Sequence, residues 1–335
     1  MEGHLTDGLV AVGANARERY YDARGYGRPR GDGVVLSRVE AAHLLYRGDL
    51  GSVDGQGIEG FLADNDDIVV PFLVYKDLRD RGFYVSPARE RWVDDPEGAA
   101  FVVHPRGDGP WDGTVQYRVR VLGERAAVEL GSLGDVVLAV VDEESELTYL
   151  RTDVPEITGT SSAAIDGPIE GHLLEDRVLC WAPPPALYER GFYGQRMDRD
   201  DDAVQLSLLE AAYLVGDGLL AVDGGREAIE SRGRAVEGER FDRRLTVYRA
   251  LRDRGVVPKT GFKFGADFRT YAEVDRVAEL GHSELLVRVL PADAARSPRD
   301  LALDVRLAHG VRKRMVFALV DGETVRWRSI ERLTP

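Results

Sequence analysis

The chain has 335 residues, 44% of them apolar, and a formal net charge of −14 from 58 acidic and 44 basic side chains. The length fits two domains of ordinary size, the apolar fraction excludes a disordered chain, and no apolar run reaches membrane-spanning length. Cys180 is the only cysteine, which excludes an intrachain disulfide and a cysteine zinc cluster.

The charge and its make-up narrow the setting. Lys76, Lys259, Lys263 and Lys313 are the only lysines, so nearly all cations are arginines. An acidic, lysine-poor surface suits a high-salt cytoplasm, where ions screen self-repulsion. The bulk sign argues against a polyanionic partner, so an RNA ligand would need a local basic site. The opening Met1-Glu2-Gly3-His4-Leu5-Thr6-Asp7 has neither the basic region nor the apolar stretch of a signal peptide, which points to a cytoplasmic location.

Taken in chain order, the elements occur twice. Short strands open the chain, and Glu2-Gly3-His4-Leu5 returns as Glu170-Gly171-His172-Leu173. Tyr21 to Gly27 returns loosely as Tyr188 to Gly194. A helix is expected around Leu36–Tyr46, and again around Leu206–Val215, each opened by a serine with glutamate three residues on, the pattern of a capping box. A second helix is expected around Asp66–Arg81 and Asp242–Arg254, ending at Gly82 and Gly255. Here the match is strongest, Val74-Tyr75-Lys76-Asp77-Leu78-Arg79-Asp80-Arg81-Gly82 against Val247-Tyr248-Arg249-Ala250-Leu251-Arg252-Asp253-Arg254-Gly255. Alternating and β-branched strands follow; Tyr117 to Leu122 answers Leu285 to Leu290, and Val137 to Asp142 answers Val316 to Asp321. Only the second set inserts a helix between these strands, Asp300–Gly310. Cys180, in Val178-Leu179-Cys180-Trp181, reads as part of a buried strand.

Six matches in one order make the chain a tandem duplication. The seam is the Gly-, Ser-, Thr- and Ala-rich stretch from Asp153-Val154-Pro155 to Gly167-Pro168, read as a linker. The organisation expected is a repeat over 1–160 and a repeat over 168–335, the latter divided into 168–258 and 260–335. Each is mixed α/β (α+β), with a helix-rich N-terminal subdomain and a sheet-rich C-terminal one.

Polar residues unique to one copy carry the functional signal. The second copy holds Gly265-Ala266-Asp267-Phe268-Arg269-Thr270-Tyr271, then Gly281-His282-Ser283, then Arg306-Leu307-Ala308-His309-Gly310-Val311-Arg312-Lys313. Aligning the two copies sets Thr114 opposite His282 and Gly134 opposite Lys313. These three blocks, in this order and in the second repeat, resemble the catalytic blocks of archaeal tRNA-splicing endonucleases. The resemblance covers the whole chain and is to the homodimeric form with an inactive first repeat and an active second one. It implies a restriction-nuclease-like C-terminal subdomain and a catalytic triad of Tyr271, His282 and Lys313. It also implies no metal or cofactor, and as substrate an intron-containing precursor tRNA cut at a bulge-helix-bulge.

The chemistry of the three residue types agrees. RNA is cut without metal when its own 2′-OH attacks the adjacent phosphorus, which requires a base, an acid and a cation for the charged transition state. An ammonium suits the last role and an imidazole the second; the resemblance assigns the base to Tyr271, a phenol that needs cations beside it. Arg306 matches a family arginine that grips a flipped bulge base. A second such arginine is matched loosely by both Arg328 and Arg332, and the local pattern leaves the choice open. The acidic loop Asp142, Glu143, Glu144, Ser145, Glu146 matches a loop that docks on the partner copy in a homodimer. Two rival readings remain: a metal-dependent nuclease using Asp267, Asp300 and Asp304, which lack recognisable ligand spacing, and a non-catalytic RNA-binding subunit.

Overall fold

Serine followed by glutamate at the third helical position starts the same structure twice. The computed structural model describes residues 1–96, 98–198 and 202–335. In it Ser37 caps helix Arg38–Tyr46 and Ser207 caps helix Leu208–Gly216, each with the reciprocal glutamate bond of a full capping box. The glutamates do more than cap. Glu40 also accepts the Gly27 N–H and Glu210 the Gly194 N–H. Both glycines sit at a φ of 66°, with a neighbouring carbonyl oxygen 2.3 or 2.4 Å from where a Cβ would stand, so no other residue fits the turn.

Each capped helix lies against a five-stranded sheet, and the two sheets have the same strand order. In the first repeat that order is Arg28–Arg30, Gly33–Ser37, Leu9–Val12, Glu2–Thr6, Ser52–Val53; in the second it is Gln195–Arg196, Val204–Ser207, Arg177–Cys180, Ile169–Leu173, Leu220–Val222. An arginine from the next long helix completes each subdomain by covering a tyrosine face: Arg79 lies 4.2 Å from the Tyr26 ring centre and Arg252 lies 3.9 Å from that of Tyr193. Cys180 is fully buried in its strand.

The long helices run Val69–Asp80 and Glu239–Arg252, close to their expected spans. The second repeat adds a helix the patterning did not announce, Gly225–Glu237. Its sequence is dominated by charge and it buries only Ile229 and Gly233, so apolar periodicity is weak. Phe241 of the next helix packs directly on Gly233. The helix expected from Asp300 begins earlier, at Pro298, because Ser297 is its N-cap.

The sheet-rich halves do not stay separate. They join into one ten-stranded sheet, mirrored about its centre, where Leu147–Asp153 pairs antiparallel with Thr324–Leu333. From this centre the second repeat continues outward as Arg314–Asp321, Leu285–Pro291, Phe268–Tyr271 and Val257–Thr260, the first as Val136–Val141, Tyr117–Gly123, Phe101–Val103 and Val85–Pro87. A core shared by both repeats backs the junction. Leu130, Leu133, Leu138 and Leu150 of the first meet Leu301, Val305, Phe317 and Ile330 of the second.

The seam read as a linker has no helix or strand between 154 and 168, yet it is tied down. Gly159, Thr160 and Ser161 donate their N–H groups to the carbonyls of Arg254, Ala272 and Gly255. The approach is so close that a Cβ on Gly159 would lie 2.4 Å from the Gly255 oxygen. Ile157 is buried beside it. The stretch is a docked strap, not a free tether.

One buried pair distinguishes the repeats. Lys259, on the first strand of the second repeat's half-sheet, donates to Glu210 at 2.7 Å and to the Phe192 and Gly194 carbonyls. Burial pushes the Glu210 carboxyl up, but Lys259 and the N–H donors outweigh it and hold it at about 2. In the first repeat Ser86 occupies the equivalent place and bonds His104. Glu40 has no ammonium there, and burial leaves its carboxyl raised.

Two outcomes follow. Lys259→Ser should cost about 3–5 kcal/mol at neutral pH by stranding a buried carboxylate, read as a lowered unfolding midpoint. Because the folded carboxyl lies below its ordinary 4.5, its stabilisation is complete above that value and lost as pH falls toward about 2. In Lys259→Ser burial should leave the carboxyl raised, as at Glu40, so the gap between wild type and variant should narrow as pH falls from above 4.5 and be smallest near 2.

Candidate active site

Strand direction gathers the residues singled out in the sequence. Phe268–Tyr271 runs antiparallel to Leu285–Pro291, which runs parallel to Arg314–Asp321. The end of the first strand and the starts of the other two therefore lie on one side of the sheet. Thr270, Leu285 and Arg314 form one row across the three strands. One residue further out, the row is Tyr271, Glu284 and Lys313, with His282 two residues beyond Glu284. Backbone bonds Glu284 N–H to Thr270 and Arg314 N–H to Glu284 hold this edge together. At about 4.8 Å between strands, the Tyr271 and Lys313 backbones stand roughly 10 Å apart, a span two side chains can close.

Each of the three is presented differently. Tyr271 is only 6% exposed; its ring meets Phe192 edge-on at 5.7 Å and packs with Val257 and Val274. His282 is exposed in the irregular segment before its strand. Lys313 follows the helix Pro298–Gly310, where Arg312 takes a φ of 56° and the Lys313 N–H returns to the Ala308 carbonyl. That turn aims the side chain inward. Its ammonium donates to the Ser283 carbonyl at 2.6 Å, which ties it to the residue next to His282. Partial burial, and then the charge of Arg269, lower the Lys313 ammonium below its ordinary value.

The arginines divide. Arg306 is exposed on helix Pro298–Gly310. Arg332 is exposed near the end of the last strand, and the Met315–Ile330 pairing carried two residues outward sets it level with Lys313. Arg328 is half-buried and donates to the Gly131 carbonyl of the first repeat and to Trp327, at the junction of the repeats. The loop Asp142–Glu146 lies at the far end of its hairpin. Asp142 accepts the Glu144 and Glu146 N–H groups, and Glu143 pairs with Arg125.

The first repeat closes its equivalent edge. His104 stands at the place of Tyr271 and is buried, its ring between Ser86 and the carbonyl of Thr114, the residue opposite His282. The Gly134 carbonyl, opposite Lys313, accepts from Thr152. No cation occupies the lysine position.

The carboxylates of the metal-dependent reading are engaged elsewhere. Asp267 pairs with Arg240 and accepts the Val289 N–H, Asp304 pairs with Arg288, and the Asp300 carboxylate accepts the hydroxyl of Ser297 at the helix cap. Among the described residues no three His, Cys, Asp or Glu side chains form a metal-holding group.

Comparison with known proteins agrees with this layout. Residues 241–327 match the model of the tRNA intron endonuclease catalytic C-terminal domain, and residues 1–62 and 169–232 each match that of the N-terminal domain. The chain belongs to the tRNA intron endonuclease family. It is 74% identical over 336 residues to a tRNA-splicing endonuclease of Natronomonas pharaonis and 62% over 337 to one of Haloarcula marismortui, with all of each chain covered. A tRNA-splicing endonuclease of Methanosarcina mazei is 37% identical over 360 residues, covering 99% of both chains. The family's N-terminal domain thus occurs twice in this endonuclease, and its catalytic-domain model falls on the half that carries Tyr271, His282 and Lys313.

Sequence reasoning passed over two residues at this edge. Phe192, from the N-terminal subdomain of the second repeat, supports the Tyr271 ring. Arg269 places its guanidinium 5.7 Å from the same ring. Two-residue spacing from Tyr271 on a strand, which puts both side chains on one face, was the available signal for the arginine.

The packing of Tyr271 separates its ring from its hydroxyl. Tyr271→Phe should leave the unfolding midpoint within about a degree, whereas Tyr271→Ala should cost about 3–5 kcal/mol by emptying a packed site. Differential scanning calorimetry of the two variants checks this.

Proposed function

We propose that this endonuclease cuts precursor tRNA at both intron boundaries, at a bulge-helix-bulge, by attack of the RNA's own 2′-OH. The observation that carries the reading is the convergence of a tyrosine, a histidine and a lysine on one end of three adjacent strands, in one repeat only. Tyr271 takes the proton from the 2′-OH as its oxygen bonds to phosphorus. The phosphorus–O5′ bond breaks, and His282 gives O5′ its proton. Lys313 offsets the charge on the non-bridging oxygens, more effectively for being partly shielded from water. The products are a 2′,3′-cyclic phosphate and a 5′-OH.

The first repeat, 1–160, serves assembly and not cleavage; its equivalent edge has Thr114 and Gly134 and is closed by the buried His104. The second, 168–335, holds the triad in the restriction-nuclease-like subdomain 260–335. Arg306 and Arg332, both exposed, stack on splayed bulge bases. Arg328 supports the repeat junction instead, because it is half-buried and donates to the Gly131 and Trp327 carbonyls. The enzyme works in the cytoplasm as a homodimer, with the loop Asp142, Glu143, Glu144 and Glu146 of one copy against the active repeat of the other. Two active repeats then meet the two cleavage points. The engagement of Asp267, Asp300 and Asp304 with other partners supports chemistry without a metal.

Cleavage of an intron-containing precursor in EDTA tests this. Wild type should cut at both junctions and leave cyclic phosphate ends, and His282→Ala should lose at least about a hundredfold in rate. Dependence on a divalent ion would overturn the mechanism. Arg306→Ala and Arg332→Ala should each lose about 1–3 kcal/mol of RNA binding, while Arg328→Ala should act chiefly on the unfolding midpoint.

A further inference from the structure

The cations near the active edge differ in what they have to bond. Lys259 and Arg269 face each other across neighbouring strands. Lys259 spends its charge on Glu210. Arg244, on helix Glu239–Arg252, is paired with Glu237 and Asp267. The Arg269 side chain forms no ion pair or hydrogen bond among the described residues. Its Nε is buried without an acceptor, as are those of Arg244, Arg288 and Arg328, but each of those three has another bond to a carboxylate or carbonyl. Leaving a guanidinium donor buried and unmet costs on the order of 1–3 kcal/mol or more. In a chain of net charge −14, a carboxylate for it would be easy to supply.

Its surroundings say what it lacks. Arg269 shares the face of Tyr271, whose ring centre is 5.7 Å from its guanidinium carbon. The strand register sets Arg269 in a row with Leu286 and Met315, two residues inward of Lys313, and its charge helps to lower the Lys313 ammonium. Neither cation has an ion pair among the described residues, although Glu284 immediately precedes the strand between them, and both stand at the edge that carries the Tyr271 phenol. Arg269 is only partly buried, and it also borders an open cleft of about 600 Å³ between the N-terminal subdomain of the second repeat and the half-sheet, a cleft that Tyr271, His282 and Lys313 do not line. The planar fork of a guanidinium matches two oxygens of one phosphate, a geometry an ammonium cannot offer.

We propose that Arg269 is a catalytic phosphate ligand: it and Lys313 grip the non-bridging oxygens of the phosphate at the cut. The inference rests on the cleavage reading above and adds a residue to it. The free site is strained by like charges, and the arriving phosphodiester relieves it. Arg269 then holds the phosphorus in line between the 2′-oxygen and O5′ while Lys313 meets the developing charge.

The test uses the full chain and a bulge-helix-bulge RNA in EDTA, comparing wild type, Arg269→Ala, Arg269→Lys and His282→Ala. Under single-turnover conditions Arg269→Ala should cut about a hundredfold to a thousandfold more slowly. Added guanidinium ion should recover at least tenfold of that loss in Arg269→Ala, and none in His282→Ala. The slope of log binding constant against log salt should shrink by about one, as for the loss of one phosphate contact. Arg269→Lys should keep the salt slope but remain slow, because the ammonium lacks the fork. A rate within threefold of wild type in Arg269→Ala would overturn the proposal. So would a slow variant with an unchanged salt slope and no guanidinium rescue, which marks a merely structural role. Cutting by wild type and its loss in His282→Ala report separately on the cleavage reading itself.

Discussion

The antiparallel pairing of Leu147–Asp153 with Thr324–Leu333 is the contact on which the rest of the architecture depends. It turns two half-sheets into one ten-stranded sheet, and the shared core from Leu130 to Ile330 seals one face of that joint. Because the pairing is antiparallel, equivalent edges of the two repeats point to opposite ends of the sheet. The edge with Tyr271, His282 and Lys313 therefore opens away from its counterpart at His104, Thr114 and Gly134, and neither can obstruct the other. Strand direction within the second half then does the local work. Three strand termini that are remote in sequence, at 271, 284 and 313, fall into one row.

Electrostatics mark the repeats as different where their backbones are alike. Both bury a capping-box glutamate against a left-handed glycine turn, and both lay an arginine over a tyrosine. Only the second repeat places Lys259 against that glutamate, which ties the capped helix to the half-sheet beside Tyr271. Phe192 belongs to the same turn region, so a buried ion pair and an aromatic contact connect the N-terminal subdomain to the edge at Tyr271. In the first repeat Ser86 and His104 replace this with a neutral bond that fills the edge. Within an acidic chain, Lys313 and the unpaired side chain of Arg269 set two cations near one edge of the sheet.

Much of this was legible in the sequence, and the exceptions have physical causes. The duplication, both capping boxes and the long helices were visible because turn residues and apolar spacing repeat in register. Tyr271, His282 and Lys313 stood out because one copy has them and the other does not, and strand direction then brought them to one edge. Helix Gly225–Glu237 escaped because a solvated, charge-rich helix with two buried residues leaves almost no periodic trace. The seam read as a linker because Gly and Ser serve tethers and close backbone approach equally well; only contact distances show that Gly159 needs to be glycine. Arg269 was hidden in plain view within Phe268-Arg269-Thr270-Tyr271. Its distinction lies in the partner it lacks, and a sequence does not display missing partners. Arg328 and Arg332 looked equivalent for a similar reason, since the register against Lys313 and the bond to Gly131 exist only in three dimensions.

The claim that one edge of this sheet, and one only, receives the scissile phosphate can be tested by a crystal structure with bulge-helix-bulge RNA. The RNA would carry a 2′-deoxy nucleotide at the cut to prevent attack. The account predicts a phosphate within hydrogen-bonding distance of Lys313, with His282 toward O5′ and Tyr271 toward C2′, and the edge at His104, Thr114 and Gly134 free of RNA. A cut-site phosphate at that first-repeat edge, or one away from Lys313, would contradict it.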